Sequence, residues 1–450
     1  MKRSTAADGD RRGEGPVGTS VLRSLNAAAI LRTLYREGAC SRARLSRLTG
    51  MSPATVSRIT AEMIRGGLVV EMSRGESTGG RRPVLLRIDE GQLFAVGIQV
   101  QRDRIACLLT DLRGMPLARR VDSPFDLEPE GMLAQLARCV EGMVAQAGVE
   151  RQRVLGVGVG IAGVVDGARG LVMRSVNLGW RDVPLAARLE ERLGLPVLLE
   201  NDANAAAMAE HWLGPSDQGG DLIFLKTEAG VGAGILLGGR LASGPRGMAG
   251  EIGHLTVVPG GHPCRCGGAG CLEAYVNVQD VLERYQQATG SPVDRDTFFA
   301  RWREGQDPVA ASLVREAAAA LGTVASAAAM LLDLDQVVIG GIWGDLGADF
   351  LGNIAAEAQA AAARTGLARE ICVRGPHLGN DAELLGVIGC VVDRWLGPPG
   401  TGLTPWPPAG VVPAAGGAVW MRRRGAAAGA SSPAALAVSA PERGEQGPGG

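Results

Sequence analysis

Apolar positions in the first part of the chain recur at helical spacing. Leu22, Leu25, Ala29, Leu31 and Leu34 predict the inner face of a first helix, which Gly38 ends. Ser41 can cap a second helix with Leu45 and Leu48 turned inward, and Gly50-Met51 makes a turn. Ser52-Pro53 is an N-cap followed by proline at the first helical position, and it opens a third helix over 53–65. Val56, Ile59 and Met63 form its inner face, while Thr55, Ser57 and Arg58 point outward near its start. Two short strand patterns follow, at 68–72 and 84–88, joined by a loop ending Thr78-Gly-Gly-Arg-Arg-Pro83. This layout predicts a winged helix-turn-helix over residues 20–90, with its recognition helix at 53–65.

Beyond residue 91 the period alternates between strand and helix. Segments 94–100, 104–110 and 115–121 read as a three-strand meander, followed by a helix at roughly 128–147 and a buried strand at 154–160. A strand ending Val197-Leu-Leu199 leads into a helix at about 203–213, and 222–226 and 232–237 form a later strand pair. Residues 91–395 therefore read as a mixed α/β body long enough for two lobes. Residues 1–19 are polar and Gly-rich, and residues 396–450 are rich in Pro, Gly and Ala with a basic patch at 422–424. Both ends are predicted to be disordered.

Composition sharpens this picture. The 450 residues carry a net charge of only −1, which excludes a uniformly basic nucleic-acid coat. The balance is uneven, however. Residues 1–90 hold 16 Lys and Arg against 9 Asp and Glu, and the remaining 360 hold 30 against 38. A basic front on an acidic body suggests that the front meets a polyanion. Ser52, Thr55, Ser57 and Arg58 are the candidate DNA contacts on the recognition helix, and Arg81 and Arg82 are those at the wing tip. The same three-helix layout also occurs in bundles that bind no DNA. Only Lys2 and Lys226 are lysines, which reads as genome bias toward arginine.

The longest well-formed apolar run, residues 317–332, falls short of the roughly 20 residues needed to span a bilayer and predicts a buried helix. The charged N-terminus lacks the apolar core of a signal peptide, so a cytoplasmic location without membrane contact is expected. Eight cysteines then point away from disulfides, and their clustering becomes informative. His254, Cys264, Cys266 and Cys271 fall within 18 residues of EIGHLTVVPGGHPCRCGGAGCLE. One imidazole and three thiolates suit tetrahedral zinc, with glycine turns letting the ligands converge. His262 is a competing ligand. The set leaves no position for a catalytic water, so the zinc is expected to be structural.

Weaker signals surround this block. Asp202, in Glu200-Asn-Asp-Ala-Asn204, sits where a helix N-cap is expected, and spacing alone favours that role. The glycines at 230, 232 and 234, and the pair Gly340-Gly341, fit close ligand approach or tight strand packing equally well.

Six segments together resemble the ROK family of repressors, sugar kinases and uncharacterised frames. They are GVGVGIAGVVD (156–166), ENDANAAAMAE (200–210), GVGAGILLGGRLASGPRGMAGEIGH (230–254), CRCGGAGCLEAY (264–275), VVIGG (337–341) and LGNDAELLGVIG (378–389). The resemblance covers roughly 20–395. It implies a two-lobed, actin-like ATPase fold with a sugar in the cleft behind the winged helix. It also implies that Asn201, Asp202, Glu251, His254 and Glu273 hold the sugar, with His254 coupling metal to ligand. In a kinase of this family Asp202 would be the general base that takes the sugar hydroxyl's proton.

The departures from the family pattern decide the expected function. Family kinases open the body with a D-x-G-x-T-like phosphate loop, whereas this chain has Gly97-Ile-Gln-Val-Gln101. Gln99 replaces the metal-organising Asp, and Gln101 fills space a Gly would leave. The second phosphate loop, G-T-G-x-G in kinases, is Glu228-Ala-Gly-Val-Gly232, an E-x-G-x-G form that resembles the family's DNA-binding members. A carboxylate about 4 Å from a phosphate charge costs roughly 4 kcal/mol at an effective dielectric of about 20. ATP and Mg²⁺ are therefore expected to bind poorly. The expectation is a non-catalytic, sugar-responsive repressor of carbohydrate genes, bound to operator DNA as a homodimer or dimer of dimers. The alternatives are an ATP-dependent sugar kinase carrying a DNA-binding domain, and a platform whose effector is another protein.

Overall fold

The computed structural model describes residues 19–72, 83–214, 220–228, 230–364 and 370–397. Both predicted disordered ends therefore lie, almost entirely, outside the described residues.

The front domain comprises α1 (Thr19–Glu37), β1 (Cys40–Ser41), α2 (Arg42–Thr49), α3 (Pro53–Arg65), β2 (Val69–Met72) and β3 (Leu85–Ile88). The Ser41 and Ser52 hydroxyls accept from the N–H groups of Arg44 and Thr55, each at 3.2 Å, so both predicted caps hold. The sheet has a third strand that the pattern does not reveal, because β1 is only two residues long; the order is β1-β3-β2. The inner face of α1 also differs from the expected one. Ala27, Ile30, Leu31 and Leu34 are buried, while Leu22 is 48% and Leu25 36% exposed. Leu48 is exposed as well. The buried stripe follows what α1 packs against, namely α2, β3 and the last helix of the chain, rather than leucine spacing.

The first lobe holds β4 (Phe94–Val100), β5 (Ile105–Asp111), β6 (Pro116–Asp122), α4 (Pro129–Gln146), β7 (Val154–Ile161), β8 (Val164–Asp166), β9 (Leu171–Ser175), β10 (Trp180–Val183), α5 (Leu185–Leu193), β11 (Val197–Asn201) and α6 (Asp202–Leu213). Its sheet runs β11-β7-β4-β5-β6, with β4, β5 and β6 an antiparallel meander and β7 and β11 parallel to β4. All seven positions of β4 are buried, because the sheet is covered on both faces.

The second lobe holds β12 (Leu222–Thr227), β13 (Val231–Leu237), β14 (Arg240–Leu241), α7 (Glu273–Val276), α8 (Val278–Thr289), α9 (Arg295–Glu304), α10 (Pro308–Leu332), β15 (Gln336–Gly341), α11 (Ala348–Ala363), β16 (Cys372–Arg374) and α12 (Ala382–Leu396). The sheet order β14-β13-β12-β15-β16 repeats the meander-plus-two-parallel plan of the first lobe. The predicted apolar run lies in α10, which begins earlier, at Pro308. This helix is long and apolar enough to cross a membrane by length and composition, but it is the buried spine of the lobe, with Ala317, Leu321, Val324 and Ala325 inside.

Two helices join the parts. A Cβ added at Gly158 of β7 would lie 2.4 Å from the carbonyl oxygen of Val387, so α12 rests directly on the first sheet. A Cβ at Gly386 would lie 1.7 Å from the carbonyl oxygen of Ala205, so α12 and α6 touch backbone to backbone. The far end of α12 docks on the winged helix. Leu384, Ile388, Val391, Val392 and Leu396 share one core with Ile30, Leu31 and Leu34 of α1. Arg32 donates to the Leu396 carbonyl at 2.8 Å, and the Tyr35 hydroxyl donates to the Leu112 carbonyl at 3.0 Å.

Gly386→Val should cost about 3 kcal/mol or more through overpacking, lowering the melting temperature by several degrees or abolishing soluble expression. Gly352→Ala, on the open face of α11 with nothing within 4 Å, should instead stabilise by up to about 1 kcal/mol. Thermal denaturation of both variants checks the contrast.

Candidate functional site

The Glu200–Asn204 segment forms the turn from β11 into α6. The helix N-cap is Asn201, not Asp202: its Oδ1 accepts from the N–H groups of Ala203 and Asn204 at 2.9 and 3.2 Å. The capping role that spacing gave Asp202 thus falls one residue earlier, because β11 runs on through Asn201. Asn201 Nδ2 donates to the Gly163 carbonyl at 2.9 Å, which ties the turn to the end of β7. Glu200 braces the turn from inside, accepting from the Asn201 N–H and from Asn204 Nδ2 at 2.9 and 2.8 Å. Burial raises the Glu200 carboxyl, and these two donors pull it back.

Asp202 is released from capping for other work. Glu251, His254 and Glu273 arrive beside it from the loop after β14 and the start of α7. Burial raises the Glu251 carboxyl; His254 lowers it, and Asp202 and Glu273 raise it further. The structure therefore brings Asp202, Glu251, His254 and Glu273 into one electrostatic cluster, with Asn201 adjoining through the chain. Such carboxylates, with an imidazole, suit vicinal hydroxyls, which donate and accept. The side chain of Asn201 is already engaged on both polar atoms within the chain.

His254 also faces the cysteines. The ligand atoms of His254, Cys264, Cys266 and Cys271 all lie within 4.8 Å of one another. Cys264 Sγ is 3.8 Å from His254 Nδ1, and Cys266 Sγ is 3.7 Å from Cys271 Sγ. Donors about 2.3 Å from a tetrahedral ion stand about 3.8 Å apart, so the spacing fits zinc. The donor set of three sulfurs and one nitrogen fits equally well. Gly270 permits the turn: it has φ 76°, and a Cβ there would meet the Val258 carbonyl at 1.7 Å. His262 is outside the set, with its ring against Tyr275 and Nε2 3.7 Å from Glu316. Because Nδ1 faces the thiols, Nε2 is the His254 nitrogen left for a further ligand.

The segments that resemble the family's phosphate loops carry an ion-pair cluster. Lys226, on β12 and nearly buried, places Nζ 2.6 Å from Asp202 Oδ2 and 3.4 Å from Glu228 Oε2, and it also pairs with Glu383 at the start of α12. Gln99 turns its amide onto the other oxygen of Glu383. Burial lowers the Lys226 ammonium, but Asp202, Glu383 and Glu228 raise it more, so it stays charged. Burial pushes Glu383 up to about 7 against the pull of Lys226. Gln99, Gln101, Arg104, Glu228 and Glu383 line a cavity of only about 80 Å³, where small-molecule pockets run about 300–1,000 Å³. A wider surface dish of about 440 Å³ beside Thr289 offers no comparable cluster; its Arg301 and Asp307 are both spent on the Tyr285 hydroxyl. Sequence reasoning missed Lys226 and Glu383. The available signal was the lone lysine in an arginine-rich body.

On the winged helix, the hydroxyls of Ser52 and Thr55 hydrogen-bond each other at 2.9 Å at the start of α3. Ser57 and Arg58 are exposed, and Arg58 lies 3.6 Å from Glu62. Arg81 and Arg82 lie outside the described residues.

The ROK family model matches residues 95–393, and the MarR family model matches residues 23–82. The chain belongs to the ROK family. A putative xylose repressor of Caldicellulosiruptor sp. (strain Rt8B.4) is 34% identical over 283 residues, covering 63% of this chain and 71% of that protein. The N-acetylglucosamine repressor of Escherichia coli O157:H7 is 30% identical over 343 residues, covering 73% and 83%. A crystal structure of a ROK family transcriptional regulator, a homologue of the E. coli Mlc protein, superposes with a TM-score of 0.72 at 23% identity. It covers 82% of this chain and 96% of that one. Its likeness establishes the fold of both parts, a winged helix followed by the two-lobed ROK body.

Removing the metal should open the second-lobe core, since Cys264 and Cys271 pack within it. Cys266→Ser should lower bound zinc from one per chain to less than about half, and with it the melting temperature. Metal analysis and thermal denaturation, with and without a chelator, check both.

Proposed function

We propose that this ROK protein is a sugar-responsive transcriptional repressor without kinase activity. The observation that carries the reading is the state of Asp202. In a kinase its carboxylate must be free to take a proton from the sugar. Here one oxygen accepts from the Ala203 N–H at 2.9 Å and the other holds Lys226 at 2.6 Å. The phosphate space beside it is lined by Gln99, Lys226, Glu228 and Glu383, so the Lys226 ammonium is spent on three carboxylates, and Arg104 is the other cation on that cavity.

The sugar lies against Asp202, Glu251, His254 and Glu273, with Asn201 fixing the turn. Zinc held by His254, Cys264, Cys266 and Cys271 is structural: it fixes the imidazole through Nδ1 and anchors the loop that carries Glu251. The winged helix reads operator DNA in the major groove, with Ser52, Thr55, Ser57 and Arg58 at the start of α3 and Arg81 and Arg82 from the wing. A homodimer on an inverted repeat is the arrangement that fits one recognition helix per chain. The names of the relatives place xylose and N-acetylglucosamine first among effectors to try.

The test combines two titrations. MgATP titrated into zinc-loaded protein should give no heat up to several millimolar; micromolar binding would revive the kinase reading. A duplex selected from random DNA by the protein should be released by D-xylose, D-glucose or N-acetyl-D-glucosamine. Glu251→Ala should keep DNA affinity within about threefold while abolishing that release, a loss of about 1–3 kcal/mol of coupling. If the variant still responds to the sugar, Glu251 is not in the sensing site.

A further inference from the structure

Lys226 has no part in the sugar or zinc sets, yet it sits at the meeting point of three elements. Asp202 belongs to α6, Lys226 and Glu228 to the β12–β13 hairpin of the second lobe, and Glu383 to the first turn of α12. The Lys226 ammonium has three donors and three carboxylate neighbours. Glu383 passes the contact on, since its second oxygen accepts from Gln99 of the first-lobe sheet. From Glu383, α12 runs to Leu396, 13 residues or about 20 Å at about 1.5 Å per residue. There its carbonyl takes the Arg32 guanidinium of α1 at 2.8 Å. The close approach at Gly158 and Gly386 leaves the helix no lateral slack.

We propose that Lys226 is a positioning residue that couples occupancy of Asp202 to α12, and through α12 to the winged helix. Both oxygens of Asp202 are already used, one by the Ala203 N–H and one by Lys226. A sugar hydroxyl that reaches Asp202 must therefore share an oxygen with Lys226 or with the Ala203 N–H, and at Oδ2 it draws on the oxygen that holds Lys226. The ammonium then shifts its pairing from Asp202 toward Glu383, at the end of the helix that carries α1. The structure holds both pairings at once; the two states that the sugar distinguishes differ in how the ammonium divides between them. This inference rests on the sugar-site reading above, and the experiment separates the two.

The decisive variant is Glu383→Gln, which leaves Lys226 paired with Asp202 and orphans no buried charge. The double variant Gln99→Leu/Glu383→Leu replaces a facing amide and carboxylate together, leaves Lys226 with Asp202 and Glu228, and serves if the single variant does not fold. Sugar affinity is read by calorimetry with D-xylose, D-glucose and N-acetyl-D-glucosamine. DNA affinity is read by anisotropy on the selected duplex, with and without saturating sugar. In the wild type the effective sugar should weaken DNA binding about tenfold or more. In Glu383→Gln the sugar and the unliganded DNA affinities should stay within about threefold of wild type, while the sugar-induced change falls below about twofold. A merely structural role would lower the melting temperature and leave that ratio intact. A wild-type ratio in Glu383→Gln, or in the double variant where only that folds, overturns the proposal. If none of the three sugars binds the wild type, the sugar-site reading fails first and takes this inference with it.

Discussion

α6 and α12 cross with the backbone of Gly386 against the carbonyl of Ala205, and both lobes hang on that crossing. α6 lies on the second sheet, where a Cβ at Gly234 would meet the Ala203 carbonyl at 2.3 Å. α12 lies on the first sheet through Gly158. Each lobe is thus packed onto one helix of a pair whose backbones touch at Gly386. Close-packed interiors switch between discrete arrangements rather than deform smoothly. Relative motion of the lobes must therefore turn about this crossing, and the N-terminal ends of both helices, Asp202 and Glu383, lie where that motion is felt.

The electrostatics follow from the same geometry. Two helix starts deliver two carboxylates to one place, and the β12–β13 hairpin adds Glu228. Burying such a group costs several kcal/mol per ion unless it is paired. Lys226 supplies the pairing, and its compact ammonium suits three partners from three directions better than the planar fork of arginine. The arrangement that stabilises these acids also narrows the cavity beside them to about 80 Å³ and spends the Lys226 ammonium that lines it, while Arg104 lines the same cavity. On the proposed reading, loss of nucleotide chemistry and linkage of the two helices both follow from the one side chain of Lys226.

Much of this was legible in the sequence, for identifiable reasons. Cap chemistry and proline placement are local, so α3 falls at residues 53–65 as its Ser52-Pro53 start predicts. The strand-like apolar runs fix β4 at 94–100 and the other main strands to within one or two residues. The four residues that converge as a candidate metal set are read from spacing because the loop is short and its glycines permit convergence. What failed is what depends on distant packing. The inner face of α1 is set partly by α12, more than 350 residues on (Arg32 to Leu396 is 364), so leucine spacing misjudged it. The contact between Gln99 and Glu383 spans 284 residues and leaves no periodic trace. Gln99 reads as the loss of a metal-organising acid, which is half the account. The other half, that its amide holds an acid on α12, exists only once the sheet and helix meet.

The shared core between winged helix and first lobe constrains how a ligand can act. Ile30, Leu31 and Leu34 pack with Leu384, Ile388 and Val391, and Tyr35 and Arg32 seal the edges. The DNA-reading part is therefore not on a slack tether that a ligand might tighten or loosen; it moves as the first lobe moves. The groups proposed to face the sugar, by contrast, come from both sides of the crossing. Asn201 is pinned to Gly163 of the first lobe, whereas Glu251 and His254 hang on β13 of the second, with the Ala233 N–H donating to the Gly250 carbonyl at 2.8 Å. A ligand that touches both sets has different contacts whenever the lobes rotate, and only such differential contact can shift an equilibrium. A ligand confined to the zinc loop would bind both states alike and leave the winged helix where it was.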